Sequence, residues 1–227
     1  MKKISLFIII LIAAFSSLKA QSIFTTYSFN VEPKDEQTVL QLYKNYFGNK
    51  ENLNKGMTVR LYQNHFKGKD DATHKVSYSG TPDVMGAAYD SKSNAAWSLF
   101  QSELSKYTKD VSADMGKIIS YFGDTSNVSY PVSDIYLANM KDENLYKSKF
   151  DAFFSKYAAP NTRIAFGSFS TIRSDGATHF ILISYKDFTT KFNYHIPNAI
   201  GYKEFQNSVK DIRTITSSTT RYLLGRW

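Results

Sequence analysis

The chain has 227 residues, a formal net charge of +8 and no cysteine. The lack of cysteine excludes disulfides, cysteine-ligated zinc or iron–sulfur sites, and a thiol nucleophile. With 42% hydrophobic and 21% charged residues, the composition is that of a folded protein, not a disordered one. Aromatic residues make up 15% of the chain and supply ample apolar surface for a packed core.

The first twenty residues have the layout of a secretory signal peptide. Two lysines precede the apolar run 4–15, and Ala20 provides a small residue at a cleavage site before Gln21. The apolar run is shorter than the roughly 20 residues that a transmembrane helix needs. We therefore expect the signal peptide 1–20 to be removed and the mature protein to be exported to the periplasm or medium, with no membrane span.

The charge that remains after export is mild. Removing the three lysines of the signal peptide, which holds no acidic residue, lowers the formal net charge from +8 to +5. No block of basic residues alternates with aromatic ones, so we expect no nucleic-acid partner.

The predicted elements of the mature chain follow one order and then repeat it. Runs rich in β-branched and aromatic residues predict strands, and apolar residues at helical spacing predict helices. The first series comprises a strand at 24–32, a helix from Asp35 to about Gly48, a strand at 57–66, a strand from His74, a helix over 97–107 and a strand at 117–122. The second comprises a strand at 135–140, a helix from Asp142 to about Pro160, a strand at 163–172, a strand from His179, a helix over 202–212 and a strand at 220–224.

Short motifs recur between the two series, which indicates an internal duplication. The recurring segments are 34–36 with 141–143, 57–61 around Arg60 with the segment around Arg163, 70–74 with 175–179, 97–101 with 202–206, and 121–123 with 223–225. The last helix carries the same buried stripe twice, with Phe100 and Phe205 at matching positions. We therefore expect a first repeat at 21–125 and a second at 126–227.

Each repeat has the order β-α-β-β-α-β of a ferredoxin-like unit. Two helices cover one face of such a sheet, so the other apolar face needs a partner, which the second repeat supplies. The predicted fold class is α+β, with two tandem ferredoxin-like repeats packed sheet to sheet as an intrachain α/β barrel. An eight-stranded outer-membrane barrel is the competing interpretation, but the duplicated amphipathic helices do not fit its alternating segments.

This organisation resembles the dimeric α/β-barrel superfamily in its fused, two-repeat form. That superfamily includes antibiotic-biosynthesis-type monooxygenases, stress-responsive barrel proteins, haem-degrading enzymes and chlorite-dismutase-like haem proteins. The resemblance covers the whole mature chain, but it depends on element order and duplication, because no signature motif of a family is matched. It therefore predicts a fold more than a function.

Two histidines and two arginines occupy positions that the duplication makes equivalent. His74 and His179 each open a third strand, either as pocket residues or as part of the hairpin turn Asp-x-Ala-Thr-His. Arg60 and Arg163 lie inside second strands, where they either bind an anionic ligand within the barrel or pair with carboxylates on the outer face. His195, in the loop that also carries Tyr194, has no counterpart in the first repeat, where residues 81–93 form the equivalent segment, and such asymmetric loops often carry function.

We expect a functional pocket between the sheet and the helices of the second repeat, where the third strand is more apolar. Its candidate ligand-binding residues are His179, Tyr185, His195, Arg163 and Tyr194. The equivalent positions of the first repeat are His74, Arg60 and Tyr78.

The leading hypothesis is a secreted or periplasmic small-molecule-binding or interaction protein with an apolar, aromatic-lined cavity. Its ligand would be a small apolar or anionic molecule, without a cofactor or metal, and the protein could form a homo-oligomer. The alternative is an oxygenase or haem-dependent peroxidase-like enzyme of the barrel superfamily, with haem as its cofactor. No nucleophile elbow, zinc-protease, Walker or dinucleotide-binding motif is present, so the catalytic residues of such an enzyme cannot be named.

Overall fold

The computed structural model describes residues 22–90, 94–123, 129–157, 161–194 and 199–227. The predicted signal peptide, the predicted boundary between the repeats and His195 lie outside these ranges. No helix within the described ranges is long and apolar enough to cross a membrane.

The described residues form strands and helices in nearly the predicted order. The strands are β1 (Ile23–Asn30), β2 (Thr58–Phe66), β3 (His74–Gly80), β4 (Lys109–Gly123), β5 (Val132–Met140), β6 (Thr162–Phe169), β7 (His179–Tyr185) and β8 (Arg213–Arg226). The helices are α1 (Glu36–Gly48), α2 (Pro82–Asp90), α3 (Ala95–Leu104), α4 (Glu143–Tyr157), α5 (Phe188–Phe192) and α6 (Tyr202–Val209), with short 3₁₀ turns at Pro33–Asp35 and Lys50–Asn52.

Two features differ from the sequence-based expectation. Helices α2 and α5 occupy the segments that follow β3 and β7, where only loops were expected. Strands β4 and β8 begin well before their predicted starts, because each pairs with neighbours from both halves of the chain and needs the extra length.

The eight strands close into one antiparallel barrel with the order β1-β3-β2-β8-β5-β7-β6-β4. Within the first half the order is β4-β1-β3-β2, and the second half repeats it as β8-β5-β7-β6. This is the ferredoxin-like arrangement twice, so the predicted fold class is confirmed. The halves are joined by hydrogen bonds between β2 and β8 and between β4 and β6, which leaves neither sheet with an open edge.

The helices pack outside the barrel, where each half has its own aromatic core. In the first half Phe100 of α3 packs against Tyr43 and Tyr46 of α1, with ring centroids 5.3 and 4.6 Å apart. In the second half Phe205 of α6 stacks on Phe153 of α4 at 4.9 Å. Both phenylalanines are buried, as the duplicated stripe predicted.

The strand registers correct one detail of the duplication. Arg60 lies opposite the fourth residue of β3, whereas Arg163 lies opposite the sixth residue of β7. Ala165, opposite the fourth residue of β7, is therefore the true equivalent of Arg60. Tyr78 and Tyr185, the fifth and seventh residues of their strands, are also not equivalent. The sequence alignment placed its gap two residues away, a shift that leaves each side chain on the same face of the sheet.

Truncating either core phenylalanine should destabilise the protein by roughly 3–5 kcal/mol, the usual cost of removing a buried aromatic side chain. The test is chemical denaturation of Phe100→Ala and Phe205→Ala. Leu99→Ala is the matched control, because Leu99 is the neighbour of Phe100 and is 64% exposed. The control should change the free energy of unfolding by less than about 0.5 kcal/mol. Equal effects of Phe100→Ala and Leu99→Ala would contradict this account of the core.

Candidate functional site

The barrel encloses a cavity of about 450 Å³ between the two halves. The part of its lining that comes from the first half is mostly polar and includes Arg60, Tyr62, Lys75, Ser77 and Ser79. The second half contributes an apolar patch of Ile135, Leu137, Ala165, Phe180 and Leu182, next to Phe24 and Ile118, but also Ser133, Ser184 and the arginines of β6 and β8. The cavity is therefore amphipathic, with a cationic, hydroxyl-bearing region and an apolar patch.

Gly167 leaves room for Phe180, one of the apolar side chains that line the cavity. Gly167 lies opposite Phe180, at the place in the hairpin where Tyr62 lies opposite Lys75 in the first half. A Cβ atom on Gly167 would overlap the ring of Phe180 and the backbone oxygen of Lys117. The pair Tyr62 and Lys75 is thus replaced by a glycine and a phenylalanine ring that fills the space above it.

Arginine side chains from several strands face this cavity. Arg60 and Arg226 are cross-strand partners on β2 and β8, and Arg60 donates a hydrogen bond to Ser79 Oγ at 3.0 Å. Arg163 places its guanidinium 4.1 Å from the ring centroid of Tyr130. The sequence-based alternatives for Arg60 and Arg163 were an interior position and an outer ion pair, and both residues lie on the interior.

Arg221 of β8 is the most deeply buried of the cavity arginines, with 7% of its surface exposed. Its guanidinium stacks on the ring of Tyr62 at 3.7 Å from the centroid. Its Nε is fully buried and has no hydrogen-bond partner among the described residues. Within the same ranges, neither Arg221 nor Arg60 forms an ion pair with a carboxylate.

The electrostatics of these arginines reflect burial and mutual repulsion. Burial lowers the pKa of the Arg221 guanidinium, and the charge of Arg60 lowers it further, while Tyr62 opposes the change. Burial also lowers the pKa of Arg60, and the charges of Arg226 and Arg163 add to that effect. Both groups remain cationic at neutral pH, because a guanidinium starts from a pKa of about 12 or more.

The other two cations of the cavity have acidic partners. Lys75 Nζ lies 2.5 Å from Asp70. Arg173 pairs with Asp114 and also with Asp175, the latter at 2.8 Å. These pairs balance the charges of Lys75 and Arg173, which distinguishes both from Arg60 and Arg221.

His74 and His179 lie outside the barrel, between sheet and helices. Nδ1 of His179 lies 2.7 Å from Thr178 Oγ1, and its Nε2 lies 2.9 Å from Glu143, the first residue of α4. His74 bonds its preceding threonine in the same way, at 2.9 Å, and lies 4.0 Å from Glu36, the first residue of α1. Each histidine thus lies between the start of a third strand and the start of a helix. The turn before it is closed by a hydrogen bond from a backbone N–H to an aspartate, Ala72 to Asp70 and Ala177 to Asp175, as the hairpin interpretation expects.

The predicted tyrosines Tyr185 and Tyr194 also lie on the outer face. Tyr185 is at the opposite end of β7 from His179. Tyr185 donates to Asp134 Oδ2 at 3.1 Å and packs edge-on against Tyr194 at 5.3 Å. Lys191 binds the same carboxylate at 2.7 Å. Burial raises the pKa of Tyr185 well above its ordinary value, so its phenol stays protonated. Tyr78 has the same outward orientation in the first half, where it packs against Phe47.

The structure therefore brings Tyr185 and Tyr194 together, but not with His179 or Arg163. A pocket between the sheet and the helices of the second half was expected, yet that space holds a packed aromatic core. Its members are Tyr146, Phe150, Phe153, Phe154, Phe166 and Phe205. The cavity of about 450 Å³ lies instead on the other face of the same sheet.

Sequence analysis did not single out Arg221, Arg226, Tyr62 or Lys75. Arg221 lies in the predicted strand 220–224, and its position two residues from Leu223 places both on one face. Its proximity to Arg60 depends on the pairing of β8 with β2, which no local pattern in the sequence reveals.

Haem, which the superfamily resemblance implies, does not fit the described residues. Both ring nitrogens of His179 are hydrogen-bonded, and its ring stacks on Phe166 at 5.4 Å. His74 is 1% exposed and enclosed by its neighbours, and neither residue lines the cavity. His65 stacks on Phe188 and Tyr222 on the outer surface. The described ranges also contain no group of three or more potential metal ligands.

Comparison with known proteins supports the fold and adds no function. No protein-family model and no curated protein matches this chain. A proposed monooxygenase from Fusobacterium nucleatum matches 92% of this chain and 95% of its own, with a TM-score of 0.63 and 14% identity. A proposed monooxygenase from Lactobacillus acidophilus matches 91% and 95%, with a TM-score of 0.61 and 10% identity.

A chlorite dismutase variant from Candidatus Nitrospira defluvii matches 89% of this chain and 91% of its own, with a TM-score of 0.53 and 7% identity. Identities this low show a shared fold alone. The closed eight-stranded barrel, the repeated strand order and these likenesses agree: the chain has the fold of the dimeric α/β-barrel superfamily in its fused, two-repeat form.

Proposed function

We propose that this protein binds an amphipathic small molecule inside the barrel. The observation that carries the proposal is the cavity of about 450 Å³, whose lining combines an apolar patch with cationic and hydroxyl-bearing side chains. Ligand sites in proteins commonly have volumes of roughly 300–1,000 Å³, with apolar linings and a few polar groups that fix orientation. The apolar patch would bind the body of the ligand, and the cationic region its polar end.

Exposure of the lining residues suggests where a ligand enters. Tyr121 and Arg226 both line the cavity, and both are exposed, with Tyr121 at 45%. They lie near the ends of β4 and β8, at the end of the barrel where Arg163 lies opposite Gly123. A ligand that enters between these residues reaches Arg60 first and then the apolar patch.

The polar groups of the cavity favour recognition over a reaction. Among the described lining residues the acidic side chain is Asp114, and Arg173 holds it in an ion pair. Arg221 stacks on Tyr62, which fixes the orientation of both side chains. A general acid or base needs a titratable group free to exchange a proton with the substrate. The arginines, which stay charged, are better suited to hold a ligand.

Filling the cavity should abolish binding. We expect 1-anilinonaphthalene-8-sulfonate, a fluorescent amphipathic probe, to bind the wild-type protein with saturation and a blue shift in its emission. Leu182→Trp places a larger ring in the cavity and should weaken that binding tenfold or more.

Leu99→Trp, an equal change at an exposed position on α3, is the control and should bind the probe as the wild type does. Thermal melting establishes that both variants are folded. The proposal fails if Leu182→Trp, while folded, binds the probe with wild-type affinity.

The alternative function, an oxygenase or a haem-dependent peroxidase-like enzyme, is tested by absorption spectroscopy. Because none of the described histidines lines the cavity, added haemin should give no sharp Soret band beyond that of haemin with an unrelated protein. A stoichiometric Soret band would favour the haem enzyme. His195→Ala would then show whether the ligand comes from the segment outside the described ranges.

We also propose that the chain is exported and that residues 1–20 are removed, on the strength of their basic start and apolar run. Protein recovered from the periplasm or medium should have an intact mass that begins at Gln21, with or without cyclisation of that residue. A mass that retains residues 1–20 would refute the cleavage. We propose separately that the mature protein forms a homo-oligomer, and sedimentation would measure its state of association.

A further inference from the structure

The charges of the cavity divide into satisfied and unsatisfied groups. Lys75 and Arg173 face the carboxylates of Asp70 and Asp114. Arg221 and Arg60 have no such partner within the described ranges, although Arg221 is more than nine-tenths buried. The stacked ring of Tyr62 offsets part of the cost of burying this charge, but it supplies no acceptor for the buried Nε.

A pair of neighbouring cations without a counter-ion is unfavourable in a largely enclosed space. Removing a guanidinium from water costs free energy that only an anion or several hydrogen bonds can return. Repulsion adds to that cost, since the charge of Arg60 lowers the pKa of Arg221. An oxyanion that contacts both would remove both penalties, and the planar guanidinium is suited to bind it in a bidentate way.

The strands next to Arg221 show how the rest of such a ligand would lie. Arg221 is opposite Ser133 on β5, and Ser133 Oγ lies 3.0 Å from Ser184 Oγ on β7. The next inward-facing pair on these two strands is Ile135 with Leu182. The pair after that consists of Leu137 and Phe180. Polarity therefore falls steadily along the wall, from arginine and serine to aliphatic and aromatic side chains.

We propose that the ligand is an organic oxyanion with one apolar body, whose carboxylate, sulfonate or phosphate group binds Arg221 and Arg60. The body lies along Ile135, Leu182 and Phe180. This inference rests on the proposed binding function and specifies its ligand class. Arg226 and Arg163, nearer the exposed end, attract the anion toward the site.

The test compares two probes that share one body. 2-Naphthoate carries a carboxylate, and 2-naphthalenemethanol is its neutral counterpart. By calorimetry the wild-type protein should bind 2-naphthoate at least tenfold more tightly. Arg221→Met, which keeps the length of the side chain and removes its charge, should cancel that preference while it leaves the affinity for the neutral probe unchanged.

Controls separate a specific anion site from general charge. Lys203→Met removes an exposed cation from α6 and should preserve the preference for 2-naphthoate. Arg221→Lys retains the charge but not the planar guanidinium that binds an oxyanion through two hydrogen bonds, and it should show a partial preference for 2-naphthoate. This variant also keeps the test valid if Arg221→Met fails to fold. Inorganic phosphate alone should compete with 2-naphthoate only weakly, because it has no apolar body.

Three results would overturn the inference, and they are distinguishable. Equal binding of the two probes, unaffected by Arg221→Met or Arg221→Lys, would leave the cavity as a binding site without anion recognition. Inorganic phosphate that binds as tightly as 2-naphthoate would reduce the site to one for a simple ion. If neither naphthalene probe nor the anilinonaphthalene probe binds, the proposed function itself fails.

Discussion

Hydrogen bonding between the two halves is the constraint on which the rest of this structure depends. Each ferredoxin-like sheet would by itself have two edge strands with unpaired backbone groups and one uncovered face. Pairing β2 with β8 and β4 with β6 satisfies those groups and, at the same time, curves both sheets around a common interior. The length of β4 and β8, the position of the helices outside and the enclosed cavity all follow from that closure.

Much of this fold could be predicted from the sequence because its signals are local and occur twice. The stripe that contains Phe100 and Phe205 predicted a helix in each half, and the aromatic cores confirm it. The third strand of the second half was predicted to be the more apolar of the two. Both of its faces carry buried apolar side chains, since Phe180 faces the interior and Ile181 faces the helices.

The candidate site was less accessible to sequence analysis, for a physical reason. A strand with apolar residues on both faces does not reveal which face borders empty space and which borders packed side chains. His179 and Tyr185 were grouped because they share β7, yet they lie at its two ends on the face that the helices cover. An interior position was one of two alternatives for Arg60, but its neighbour Arg221 comes from a strand more than 150 residues away. Such proximity arises only from barrel closure.

The unequal halves of the cavity lining have a consequence for how such a protein could arise. Two identical subunits related by a twofold axis must present identical surfaces to each other, so a dimer of one repeat lines both halves of its cavity alike. In this chain Tyr62 and Lys75 occupy the places that Gly167 and Phe180 hold in the other half. Covalent linkage of the copies allows each to mutate independently of the other. A cavity whose two halves carry different side chains at equivalent positions is therefore accessible to a fused chain, whereas a symmetric homodimer must line both halves alike.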